Sequence, residues 1–324
     1  MQLSVLAALF LLLTGSLPKP QPVPPQAEPY VLHIVEPQSA PSPDALHTVL
    51  LSENGKLTAV SLREYLVRVV LSELYPDFRE ETYKAQAVAA RTVALHTAEK
   101  RKHADADLCT DGACCQACLS EQELRQKLGD AYEDARKRAE AAVAETDGEV
   151  LYYGDDLCES TYFSCSGGRT ESAEAVWGGS VPYLISVDSP NEEAAAVFCT
   201  VRAFAREDAQ TRLRSVHPDA SLTGDPARWY LPPTRTQGNG VLRQSVGGVS
   251  FTGAELRRAF GLPSTDFTVS AGNGELVFTV RGSGHRVGMS QFGAEAMAQR
   301  GADYRRILSH YYPGTHKERI TPNS

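Results

Sequence analysis

Positive charge is in short supply in this sequence. The chain has 32 Lys and Arg against 40 Asp and Glu in 324 residues, a formal net charge of -8. That balance argues against nonspecific binding to nucleic acid or anionic lipid and leaves room only for a local basic cleft. Long apolar runs are missing too. The run at residues 3–13 is too short to span a bilayer comfortably and suits the core of a secretory signal. It lacks basic residues ahead of it, with Lys19 on the far side, and no Cys follows it, which argues against a lipoprotein anchor. Residues 1–16 therefore predict export, as a signal peptide or a short membrane anchor. An even cysteine count is also lacking: with seven, complete internal disulfide pairing is impossible. What remains, 42% hydrophobic and 22% charged, is an ordinary soluble composition, long enough for one large core or two smaller ones.

Residues 17–43 are Pro-rich, an extended and stiff linker, with a weakly alternating stretch at 30–35 that predicts an added strand. Asn54-Gly55 between two apolar runs predicts a hairpin. Two helices follow over residues 62–98. In the first, Leu62, Leu66, Val69 and Val70 recur at helical spacing, and Glu73 falls on the same face. A carboxyl group there loses hydration, so its pKa rises and it becomes a candidate proton donor; a solvent-facing Glu in the last turn is the plain alternative. Asp77 with Glu80 predicts a capping box for the second helix. Lys84 and Arg91 lie two turns apart on one face of it, placed to bracket an anionic ligand, to brace Glu73, or simply to meet water.

The next stretch gathers His103, Cys109, Cys114, Cys115 and Cys118, a set able to converge on zinc or, alternatively, to form disulfides or stay as thiols. Residues 129–146 predict a charged scaffold helix, and 148–153 and 157–165 predict strands around a turn. Ser166, Gly167 and Gly168 then form a turn suited either to hydrogen bonding a sugar or to structure alone. Trp177 is either a stacking platform or half-buried. Prolines thin the signals over 188–240, a less regular insert with helix expected near 200–214. A helix capped at Thr252 and stopped at Gly261 and a strand at 275–281 lead to a Gly-rich loop carrying His285. A helix starting near Gly288 puts Ser290 and Gln291 in its first turn, beside the imidazole.

The blocks EYLVRVVLSE and KAQAVAARTVAL, then SCSGGRT at 164–170 and GSGHRVGMSQFGAEAMAQRG at 282–301, with ILSHYYPG after them, stand in one order. Together they resemble the SpoIID/LytB family of stage II sporulation protein D and amidase-enhancer proteins, over most of residues 57–314. The resemblance implies an α+β domain over 44–316, with mixed sheets and helices around a substrate cleft. It implies lytic transglycosylation of peptidoglycan, cutting the β-1,4 bond from N-acetylmuramic acid to N-acetylglucosamine with a 1,6-anhydro product. Glu73 matches the catalytic acid/base; Lys84, Arg91, His285, Ser290 and Gln291 become substrate-binding candidates beside Ser166, Gly167 and Gly168. His103, Cys109 and Cys115 match positions at which relatives bind a structural zinc ion, with Cys114 or Cys118 open as a fourth ligand. Denuded glycan, a cell-wall amidase and membrane-bound sporulation proteins are the implied partners. A glycan-holding enhancer of an amidase that cuts nothing, and a zinc-stabilised wall scaffold, are the alternatives.

Overall fold

The structure, a computed structural model, describes residues 42–272 and 274–321. The N-terminal segment 1–16, nearly all of the Pro-rich linker and the strand expected at 30–35 lie outside the described residues. The order begins with α1 (Pro43–Leu46) and the hairpin β1 (Thr48–Glu53) and β2 (Lys56–Ser61). Its turn is the expected pair, Asn54 and Gly55, both at positive φ (51° and 78°), the twist that joins two strands tightly. Ser61 ends β2 and caps α2 (Leu62–Glu73), its hydroxyl accepting the Glu64 N–H at 3.1 Å. The apolar stripe read from the sequence is the buried face: Leu62, Leu66, Val69 and Val70 are all inside, joined by Tyr65.

Then come α3 (Glu80–Glu99), β3 (Leu108–Cys109), α4 (Glu121–Leu128) and α5 (Tyr132–Glu145). Helices α2, α3 and α5 share one core with β1. The expected Asp77 cap for α3 is not formed. Arg79 is the cap residue and has no side-chain bond; Glu295, far along the chain, takes the Arg79 N–H at 2.7 Å and the Thr82 hydroxyl at 2.8 Å. A carboxylate from another helix does the work of a local cap, because the positive helix terminus attracts it from any direction.

Next are β4 (Glu149–Tyr153), β5 (Asp156–Leu157), β6 (Tyr162–Phe163) and α6 (Ala173–Trp177). After them stand β7 (Cys199–Ala205), α7 (Arg206–Val216), β8 (Thr234–Arg235), β9 (Val241–Val246), β10 (Val249–Thr252), α8 (Gly253–Phe260), β11 (Asp266–Gly272) and β12 (Glu275–Arg281). Helix was expected from about residue 200, yet 199–205 is strand. Its alternating CTVRAFA pairs along its whole length with β12, and helix starts only at Arg206. These elements hold a core of their own around Phe251, Phe260, Phe267 and Phe278. From 209 on, the stretch 188–240 read as a less regular insert shares this core with the elements that run on to Arg281. The chain returns through β13 (Met289–Ser290), α9 (Gln291–Gln299), α10 (Tyr304–Tyr311) and β14 (His316–Arg319). Among the described residues, five small sheets, ordered β2-β1-β3, β10-β9-β8, β11-β12-β7, β13-β6 and β14-β4-β5, make the fold α+β as expected.

Candidate active site

Glu73 is the last residue of α2, and Gln291 is the first of α9. The short β13 sets the second position by pairing in parallel with β6, Ser290 opposite Phe163. The Gln291 amide donates to Glu73 Oε2 at 3.1 Å, joining residues that stand 218 apart in the chain. Burial pushes the Glu73 pKa up; hydrogen bonds from Gln291 and the Ala117 backbone, and the charge of Lys127, pull it back only in part. The carbonyl end of α2 adds to the upward push, since it disfavours a negative charge. The side chain is neither sealed in nor out in bulk water, a position from which a proton can reach a ligand.

Rings stand beside this acid. Tyr75, 51% exposed, packs on Phe292 with centroids 5.3 Å apart, and Phe78 backs both. Behind it, the Tyr162 hydroxyl donates to Gln116 at 2.6 Å, and the Gln116 amide reaches Tyr65 and the Ala90 carbonyl, each at 3.2 Å. Gln116 and Ala117 both belong to the cysteine loop, so that loop reaches the acid directly.

Within the loop, ligand atoms of His103, Cys109, Cys114 and Cys115 all lie within 4.8 Å of one another. Tetrahedral zinc with bonds of about 2.3 Å would set its ligands roughly 3.8 Å apart, so one histidine and three thiols at this spacing fit it. His103 Nε2 is already 3.2 Å from Cys115 Sγ and 3.8 Å from Cys114 Sγ. Of the two cysteines left open as a fourth ligand, Cys114 stands within this group and Cys118 does not. Cys118 packs into the apolar core, where burial pushes its thiol up to about 12.

Several expected substrate contacts have other work. Arg91 is fully buried and grips Asp44 through Nε and Nη2, at 2.8 and 2.6 Å. It clamps α1 to α3 and faces no ligand. Lys84 is tied to Glu81 at 2.9 Å and Glu145 at 2.7 Å. Ser166 is buried, and its N–H and hydroxyl donate to Glu192 at 2.7 and 2.8 Å; the Gly167 N–H follows at 3.3 Å. The donors read as free for sugar are consumed by that carboxylate, while the Gly168 N–H turns back to Ser166 Oγ at 2.9 Å. Ser290 is the buried N-cap of α9, accepting from the Gly293 N–H at 3.2 Å. Of that group only Gln291 touches the acid.

His285 divides differently. Its Nδ1 accepts the Val287 N–H at 3.1 Å and the ring also bonds the Tyr162 backbone, so its nitrogens serve the protein. Burial lowers its pKa to about 4, leaving a neutral ring near pH 7. What it offers is aromatic surface: Trp177, 49% exposed, lies 5.3 Å away centroid to centroid, and Phe163 meets the ring edge-on at 5.6 Å. Sequence reasoning missed Glu192 and Arg286. Arg286 sits next to His285 at φ 67° and donates to the carbonyls of Ser166 and Gly238, both at 2.7 Å. Neither has a local pattern that marks it: the partners of Arg286 are all distant in sequence, and Glu192 has only Ser189 nearby while its bonds to Cys165, Ser166 and Gly167 cross 25 residues or more.

Fold and site together define an α+β protein that holds a half-buried carboxyl group, Glu73, against Gln291, in stretches of chain that also carry the Tyr75, Phe78 and Phe292 rings. A family model described as stage II sporulation protein, SpoIID, matches residues 52–153, which carry Glu73 and the metal-type cluster. Stage II sporulation protein D of Bacillus amyloliquefaciens is 35% identical over 272 residues, covering 82% of this chain and 76% of that one. The Bacillus subtilis (strain 168) protein of that name is 34% identical over 275 residues, 82% and 77% of the two chains. An amidase enhancer of Bacillus subtilis (strain 168) is 28% identical over 222 residues, 54% of this chain and 32% of its own. The chain belongs to the stage II sporulation protein D family.

Proposed function

We propose that this protein cleaves peptidoglycan glycan strands by lytic transglycosylation, with Glu73 as the one acid and base. The observation that carries the reading is the place of Glu73, half-buried at the end of α2 and held by the Gln291 amide, where burial raises its pKa. Glu73 gives its proton to the oxygen leaving C1 of N-acetylmuramic acid. It then takes the proton of the same sugar's C6 hydroxyl, whose oxygen closes on C1 to form the 1,6-anhydro ring. No water is consumed, and one carboxyl suffices where hydrolytic glycosidases use two. Gln291 holds the carboxylate between the two steps. His103, Cys109, Cys114 and Cys115 hold zinc as a structural ion that fixes the loop carrying Gln116 and Ala117. The protein works outside the cytoplasm, on denuded strands, beside a cell-wall amidase and membrane-bound sporulation proteins.

Digestion of denuded glycan, read by mass spectrometry, tests this. Wild type should release anhydro-sugar products, and Glu73→Gln should lower the rate by at least about a hundredfold, the worth of a general acid. Similarity to an amidase enhancer supports a second reading, in which the protein holds glycan for another enzyme. In that case Glu73→Gln keeps full stimulation of the amidase and neither protein releases anhydro sugar.

A further inference from the structure

A cavity of about 550 Å³ lies away from Glu73, between α6, His285 and the start of α8. We propose that it is a subsite for a glycan unit bearing both a free carboxylate and an amide N–H, an acidic N-acetylated sugar. The inference rests on the glycan reading above and names the unit it selects. Arg257 and Arg258 both line the cavity, and among the described residues neither guanidinium pairs with a carboxylate. Arg257 spends its Nε on the Leu262 carbonyl at 3.2 Å, which fixes the side chain and leaves its terminal nitrogens for an anion. One anchored guanidinium group with a second, exposed one on the next residue suits a carboxylate better than a neutral hydroxyl.

Glu171 supplies the second recognition element. It lines the same cavity and is 1% exposed. One oxygen accepts from the Thr236 hydroxyl at 2.7 Å and the Gly240 N–H at 2.9 Å. The other, Oε2, is buried with no partner among the described residues. A buried carboxylate oxygen left this way asks for a donor, and an acetamido N–H is one. Arg286, 3.6 Å from Glu171, offsets its charge, so the pocket does not repel an anion. The His285 ring, with Trp177 packed on it, forms a wall against which a pyranose face can stack.

Calorimetry tests this with Glu73→Gln protein, so that no ligand is consumed. The probes are a peptide-free hexasaccharide alternating N-acetylglucosamine and N-acetylmuramic acid, its carboxyl methyl ester, and chitohexaose. The acid should bind about tenfold or more tighter than the ester, the worth of a charged hydrogen bond. Arg257→Gln with Arg258→Gln should bring that ratio to about one and leave chitohexaose affinity unchanged. Equal binding of acid and ester overturns the proposal before any arginine is altered, so a misfolded variant cannot hide the result. A ratio that survives both substitutions overturns it as well. Anhydro-product release by wild type is scored apart: preference without products keeps the subsite and sinks the cleavage reading, while products without preference do the reverse.

Discussion

The proposed cleavage places opposing demands on Glu73. As a donor it must keep its proton near neutral pH, which burial favours; as an acceptor it must bear charge briefly, which Gln291 and the Ala117 N–H favour. The balance can be shifted one bond at a time. Gln291 stabilises the charged form, so Gln291→Ala removes support for the anion and raises the Glu73 pKa further. Activity that needs the protonated acid falls as pH rises through that pKa. The alkaline limb of the pH–rate profile should therefore move up by roughly one unit, what a hydrogen bond to a charged group is worth. A limb that stays fixed while the rate drops would mean Gln291 only packs. The face of Glu73 was legible from the spacing of Leu62, Leu66, Val69 and Val70, because helical period is a local property. Its partner was not, since nothing near Gln291 says that α9 docks there.

At the scale of elements, helix α3 carries the motif and is fixed at its start and its middle by distant side chains. Its start is capped by Glu295, and its middle is locked by Arg91 on Asp44. Both partners of that pair are buried, so removing one leaves an unmatched charge inside the protein. Asp44→Asn should cost about 3–5 kcal/mol in urea unfolding. A loss below about 1 kcal/mol, the range of an exposed pair, would show that water reaches Arg91. The sequence marked Arg91 as special but assigned it to a ligand, because two cations two turns apart look alike on a surface and in a core. Local signals fared better: the Asn54-Gly55 turn, the Thr252 cap and the strand ending at Arg281 all stand where short-range chemistry put them. The cysteine loop lies between these cases. Its membership was readable from clustering, whereas the choice of Cys114 over Cys118 needed the core into which Cys118 packs. If zinc holds that loop, purified protein contains one ion per chain, and strong chelation lowers the melting temperature before any loss of chemistry can be scored separately. An unchanged melting curve with chelator, in protein assayed as metal-loaded, would remove the structural role.

At the scale of the whole molecule, the 199–281 lobe meets the motif-bearing half at a seam of glycines. Cys165 and Ser283 bridge across it, the Ser283 N–H donating to the Cys165 carbonyl at 2.8 Å. Gly282 sits there at φ 73°, and a Cβ on it would lie 2.7 Å from the Cys165 carbonyl oxygen and 2.8 Å from the Ser166 carbonyl group. Facing it, a Cβ on Gly167 would come within 2.8 Å of the Gly282 nitrogen. The two backbones touch with no room for side chains, and main-chain atoms cannot swing aside as a flexible side chain would. Gly282→Ala combines left-handed strain with that clash and should cost about 2 kcal/mol or more. The cost should fall on the seam: the turn held by Glu192 and the His285 loop shift together, so glycan cleavage drops while zinc content stays at wild-type level. Loss of stability with full activity and unaltered binding of glycan would mean the lobe tolerates displacement, and that its glycines hold the chain together without aligning the groove.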